Sequence, residues 1–182
     1  MKSITALSAA LAGLFLATAS FAMELTSKDA QNGGTFADAQ VFNGMGYKGG
    51  NVSPEVSWTK GPEGTLSYVL TMYDPDAPTG SGWWHWVVFN IPASKTELPK
   101  GFGSKSYKAT KPIVQSRTDF GKGGYGGPAP PPGPAHHYII TVYALKVKSL
   151  PLKATDSAAM VGFYANANKL DSAAITVMFG HP

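Results

Sequence analysis

The 182-residue chain contains no cysteine. That excludes a disulfide framework and a cysteine-linked lipid anchor, so stability has to come from burial. Arginine is nearly absent as well. Arg117 stands alone and the lysines are scattered singly, which excludes a nucleic-acid footprint. Only 14% of residues are charged, against 21 glycines and 14 prolines, a balance that points to a loop-rich β protein. No apolar run approaches the ~20 residues of a membrane-spanning helix. No G-x-S-x-G elbow is present, so a serine hydrolase of that design is excluded.

The first 22 residues read as a signal peptide. Lys2 supplies the positive start, Ile4 to Ala17 the apolar stretch, and Ser20-Phe21-Ala22 a small-x-small cleavage site. Residues 23–182 are then expected to form a single domain that is exported, periplasmic or secreted, and large enough for a real core. Removing Lys2 with the leader takes the formal net charge from +4 to +3. That mild excess favours small anions.

Tyr73 to Pro92 (YDPDAPTGSGWWHWVVFNIP) concentrates the chemistry. Ser67 to Tyr73 before it and Trp86 to Ile91 within it are apolar and β-rich, the pattern of strands buried on both faces. Asp74 falls where one strand ends and His85 where the next begins. If those strands are neighbours, a carboxylate and an imidazole meet at one rim of a sheet. A second unusual segment, Arg117 to Tyr138, is too rich in Gly and Pro for helix or central strand. It reads as a proline-stiffened loop that delivers His136 and His137 to a strand running to Leu145, their side chains pointing opposite ways. Leu25 to Val41 shows a weak strand and a turn at Asn32-Gly33-Gly34, and Glu55 can open a strand to Trp58, a packing residue. The one convincing helix is capped by Thr155 or Asp156, with Met160, Phe163, Tyr164, Ala167 and Leu170 facing the core. A last strand spans Ala174 to Phe179. The fold class is mostly β, a sandwich or barrel with one main helix near the C-terminus.

Three chemistries compete for these residues. A metal site finds histidines and carboxylates but no ligand spacing, and none is assigned. A hydrolase of a phosphate or carboxylic ester would use Asp74 or His85 as general base. Asp76 is better explained by turn hydrogen bonding within D-P-D-A-P. A small-anion pocket uses imidazole N–H groups, a tyrosine hydroxyl and Gly-rich backbone amides together. In it Asp74 either accepts a hydrogen bond from His85, which orients the ring and makes it more basic, or accepts a proton shared with the ligand. Protonation of the imidazoles then predicts affinity falling between about pH 6 and 8. A third class, a protein-interaction or inhibitor module, would use the Pro/Gly loop from Pro128 to Pro134.

D-P-D-A-P (Asp74 to Pro78), W-W-H-W-x-V-x-N-I-P (Trp83 to Pro92) and Y-G-G-P-x-P-P…H-H-Y (Tyr125 to Tyr138) resemble the phosphatidylethanolamine-binding protein family, in its bacterial YbhB/YbcL (Raf kinase inhibitor-like) branch. Gly49 to Trp58 and the A-N-A-N-K-L run fit the same branch. The resemblance implies a large central β-sheet packed on a smaller one, with a shallow pocket at one end for phosphate, phosphoryl head groups or carboxylates. It places Asp74, His85, His136 and Tyr138 as the pocket's polar residues. Pro78 and the Ala129-Pro130-Pro131 turn form its wall, with a cis bond before Pro78. It implies no cofactor, and a homodimer is compatible with it. Where that branch often carries Cys this chain has Ala129, so a thiol contact is lost. The partners expected are a small anion and an unidentified protein. No catalytic residue is assigned.

Overall fold

The structure is a computed structural model that describes residues 22–104 and 110–181. The signal-peptide reading, Ala22 apart, therefore concerns residues outside the described ones. Five antiparallel strands form the main sheet in the order β10-β9-β5-β6-β8. They are β5 (Ser67–Asp74), β6 (Trp83–Pro92), β8 (Val114–Gln115), β9 (His136–Leu145) and β10 (Lys169–Phe179). A smaller sheet has the order β1-β4-β7 (Leu25–Thr26, Val56–Trp58, Glu97–Leu98), and β2 (Asn43–Gly44) pairs with β3 (Tyr47–Lys48) as a hairpin.

The central strands are buried on both faces, as their apolar runs require. Tyr68, Leu70, Met72, Ile140 and Val142 turn one face toward Leu25, Val56, Trp58 and Leu98 of the small sheet. Trp58 packs edge-on against Tyr68 at 5.4 Å. Val69, Val87 and Phe89 turn the other face toward α1 (Ala158–Asn168), the one helix among the described residues. The expected division into a large sheet, a smaller sheet and one C-terminal helix is what the chain adopts.

The helix corrects two expectations. Its cap is Ser157, whose Oγ accepts from the Met160 N–H at 3.2 Å, not Thr155 or Asp156. Its buried face is Ala158, Val161, Gly162 and Ala165, with Tyr164 packed beside them as expected, while Met160, Phe163 and Ala167 are exposed and Leu170 belongs to β10. The small side chains let the helix lie flush on the sheet; a methyl group on Gly162 would sit 3.7 Å from the Trp84 ring. Bulky residues at that interface would hold the two layers apart.

Candidate functional site

Asp74 is the last residue of β5 and pairs with Trp83, the first of β6. Tyr73 also pairs with Ile139 of β9, so β9 brings Tyr138 and His136 to the same end of the sheet. His85 reaches that place only through an irregularity in β6. Met72 pairs with Trp86 but Tyr73 with Trp84, which leaves His85 as an extra, unpaired residue. Strict alternation with Val87 and Phe89 would turn His85 toward the helix face. The bulge reverses the phase and aims the ring into the site.

Asp74 accepts three hydrogen bonds from the protein. Its Oδ1 accepts the backbone N–H groups of Asp76 (2.8 Å) and Ala77 (3.1 Å), and its Oδ2 accepts His136 Nδ1–H at 2.7 Å. His85 Nε2 lies 4.0 Å from that same oxygen, beyond hydrogen-bond range. The expected Asp74–His85 hydrogen bond is thus replaced by Asp74–His136. His85 Nδ1 instead donates to the carbonyls of Gly126 (2.8 Å) and Gly127 (3.1 Å). Because both partners are acceptors, the neutral ring carries its proton on Nδ1 and a lone pair on Nε2. Burial lowers the His85 pKa to about 4, against the raising effects of those carbonyls and the Asp74 charge. The imidazole is neutral at pH 7. Tyr138, fully buried, has a hydroxyl with no hydrogen-bond partner in the protein by distance and angle. Its pKa is raised, first by burial and then by the nearby Asp74 charge, so it stays protonated. Its ring packs edge-on against His85 at 5.1 Å.

These four side chains, with Thr79 beside them, form the polar part of a pocket of about 170 Å³. Pro78, Ala129, Pro130 and Pro131 line it, as expected, and so do Met45, Trp83 and Phe120, which sequence reasoning missed. The sole cis peptide bond among the described residues is Lys111–Pro112; Ala77–Pro78 is trans, contrary to expectation. Both isomers of an X–Pro bond lie within about 1 kcal/mol, so local context decides between them. Gly126 and Gly127 explain why the loop carries adjacent glycines. A methyl group on Gly126 would collide with the Phe120 ring, and one on Gly127 with the Gln40 carbonyl. Asn51 clamps the same loop, accepting from Gly127 N–H (2.8 Å) and donating to the Tyr125 carbonyl (3.3 Å). Nothing in the isolated sequence distinguishes Asn51 from a turn residue.

Asp76 stands outside this group. Its Oδ2 accepts from the backbone N–H and Nδ1 of His137, both at 2.7 Å, and these bonds hold its pKa below the usual value. The pair ties the Asp74–Gly82 loop to β9; the local turn bonding expected of Asp76 is made by Asp74 instead. His136 and His137 do point opposite ways, one buried and one exposed. Among the described residues no group of three or more His, Cys, Asp or Glu is arranged to hold a metal ion. Among the described residues no lysine or arginine lines the pocket.

A family model described as phosphatidylethanolamine-binding protein matches residues 26–180. The chain is 52% identical over 157 residues to the Escherichia coli protein YbhB, covering 86% of this chain and 99% of YbhB. It is 45% identical over 181 residues to E. coli YbcL, covering 98% of each. The crystal structure of YbcL superposes with a TM-score of 0.85 at 46% identity, covering 88% of this chain and 99% of that one. A phosphatidylethanolamine-binding protein homologue from Chlamydia trachomatis gives a TM-score of 0.74 at 26% identity, over 90% of this chain and 100% of that one. With the sheet order, the buried Asp74–His136 pair and these matches agreeing, the chain belongs to the phosphatidylethanolamine-binding protein family, in its bacterial YbhB/YbcL branch.

Proposed function

We propose that this is an exported binding protein whose pocket takes a small oxyanion group, phosphate, phosphoryl or carboxylate, together with a proton. The observation that carries the reading is the Tyr138 hydroxyl. It is a buried donor that meets no acceptor at hydrogen-bond distance and angle among the described residues, although the Asp74 carboxylate lies close enough to act on it, and it is set beside two imidazoles at the floor of a pocket of about 170 Å³. A buried polar group left unpaired costs roughly 1–3 kcal/mol, which a ligand oxygen would recover. The volume lies below the 300–1,000 Å³ typical of drug-sized ligands, and so suits a head group.

The electrostatics dictate the proton. Asp74 supplies an acceptor, no fixed cation among the described residues lines the pocket, and His85 presents a lone pair while neutral. An anion hydrogen-bonding to Nε2 has to bring a proton or have the ring take one up. Above the His85 pKa of about 4, affinity therefore rises as pH falls, by at most tenfold per pH unit for one proton. This widens the window expected from the sequence toward acid. The same pKa argues against His85 as a general base, because a group protonated only near pH 4 is a weak base at neutrality.

NMR titration with phosphate, acetate and phosphoethanolamine near pH 5 and near pH 8 tests the reading. Shifts at His85, His136 and Tyr138, tighter at the lower pH and absent in His85→Ala, are expected. Binding of equal strength at both pH values would rule out the proton-coupled pocket. Export rests on the Lys2 to Ala22 pattern. N-terminal sequencing of the accumulated protein should begin at Met23; a retained Lys2 would refute it.

A further inference from the structure

Outside the pocket, the most unusual surface feature is the outward face of α1. Phe163 is 68% exposed and Met160 46% exposed, one helical turn apart on the same stripe. Single exposed apolar residues are ordinary, but this pair is framed by cations. Lys169 is the helix C-cap, and the Lys146 N–H bonds the Asn168 carbonyl at that end. Lys148 follows in the same turn, and Lys153 lies at the other end, just before the Ser157 cap. All four are exposed, and none forms an ion pair among the described residues. Two acids lie among them, so the lysines outnumber carboxylates four to two: Asp156 Oδ2 accepts the Lys153 N–H, and Asp171 accepts from Met23 and Ser172.

Helix electrostatics account for only half of this. Cations near a helix C-terminus are favourable, which suffices for Lys146 and Lys169. Lys153 sits at the N-terminal end, where the dipole opposes it, and Lys148 lies outside the helix. Four unpaired ammonium groups around an exposed aromatic and a thioether match a surface that is negative at its rim and apolar just beneath. A phospholipid interface has that profile.

We propose that the outward face of α1 docks on an anionic phospholipid surface, with Phe163 and Met160 entering the interfacial layer and the flanking lysines meeting lipid phosphates. The helix lies on the sheet face opposite the small sheet, so docking leaves that sheet free. The inference does not depend on what the pocket holds.

Co-sedimentation with vesicles tests it, using the protein purified from the cell fraction where it accumulates. Binding to equimolar phosphatidylglycerol and phosphatidylcholine is expected to exceed binding to phosphatidylcholine alone and to fall with added salt. Lys148→Gln and Lys153→Gln should each lower the partition coefficient roughly fivefold. Phe163→Ser should lower it further, with an unchanged unfolding midpoint. Met160→Gln is a second probe should Phe163→Ser disturb the helix. Equal sedimentation with both vesicle types, or none, overturns the proposal. So does a Phe163→Ser variant that binds vesicles normally but changes mass in light scattering, since the stripe would then join two copies of the chain.

Discussion

His85 commits one ring nitrogen to the protein and leaves the other to the pocket, and Tyr138 leaves its hydroxyl there as well. The two residues support different expectations. In Tyr138→Phe the ring contacts with His85 and Phe36 are retained, and the atom removed is one the protein does not hydrogen-bond. Stability should hold or rise slightly, while oxyanion affinity should drop tenfold or more, a hydrogen bond to a charged group being worth about 1.5–3 kcal/mol. Chemical denaturation and titration of the one variant read both. A loss of stability above about 1 kcal/mol would mean the hydroxyl is satisfied internally, and the pocket reading would lose its main support. At this scale the sequence was informative about which side chains meet, because Asp74, His85, His136 and Tyr138 sit at strand ends. It was silent on who bonds whom. Both β6 and β9 flank β5, but His85 arrives through a bulge that apolar alternation does not reveal and commits its Nδ1 to Gly126 and Gly127, which leaves Asp74 to His136.

The helix shows how an element can be recognised and yet faced the wrong way. Bulky apolar residues at helical spacing suggested the core side, but a helix pressed on a twisted sheet is selected for small contacts, and Ala158, Gly162 and Ala165 supply them. The consequence is measurable. Ala165→Leu should destabilise by about 1–3 kcal/mol through overpacking, and Val161→Ala by a similar amount through a cavity. Phe163→Ser should stay within about 0.5 kcal/mol. The reverse ranking in thermal or urea unfolding would return the bulky stripe to the core. The strands were easier to read, since β5 and β9 need apolar residues on both faces and announce themselves as continuous runs. The Gly126-Gly127 turn was recognisable as a loop, but its purpose was not. It brings two carbonyls against an imidazole across 41 and 42 residues of sequence, and no local pattern encodes that distance.

For the molecule as a whole, the buried neutral His85 makes stability depend on acidity. Its folded pKa, about 4, lies below the ordinary 6.5. Between those values the unfolded chain takes up a proton that the native state refuses, so stability falls as pH drops from about 6.5 to about 4. One such group accounts for about 3 kcal/mol over that interval. Asp76 and Asp29, whose pKa values are lowered from 3.8, act in the same sense but lower on the pH axis: their stabilisation is present above 3.8 and disappears only at more acid pH. The two effects therefore separate along the pH axis. Urea unfolding at a series of pH values, for the parent and for His85→Gln, isolates the histidine as the difference between the curves. The parent should lose stability relative to the variant between about pH 6.5 and 4, and the two should run parallel above that. Saturating phosphate should stabilise the parent most at the acid end of the same interval, because the anion favours the protonated ring that burial disfavours. Parallel curves throughout would mean that His85 titrates as it does in the unfolded chain. The fold would then be supporting a charged imidazole already below about pH 6.5, and the pocket would bind anions there by direct charge attraction to a ring that needs no ligand to hold its proton.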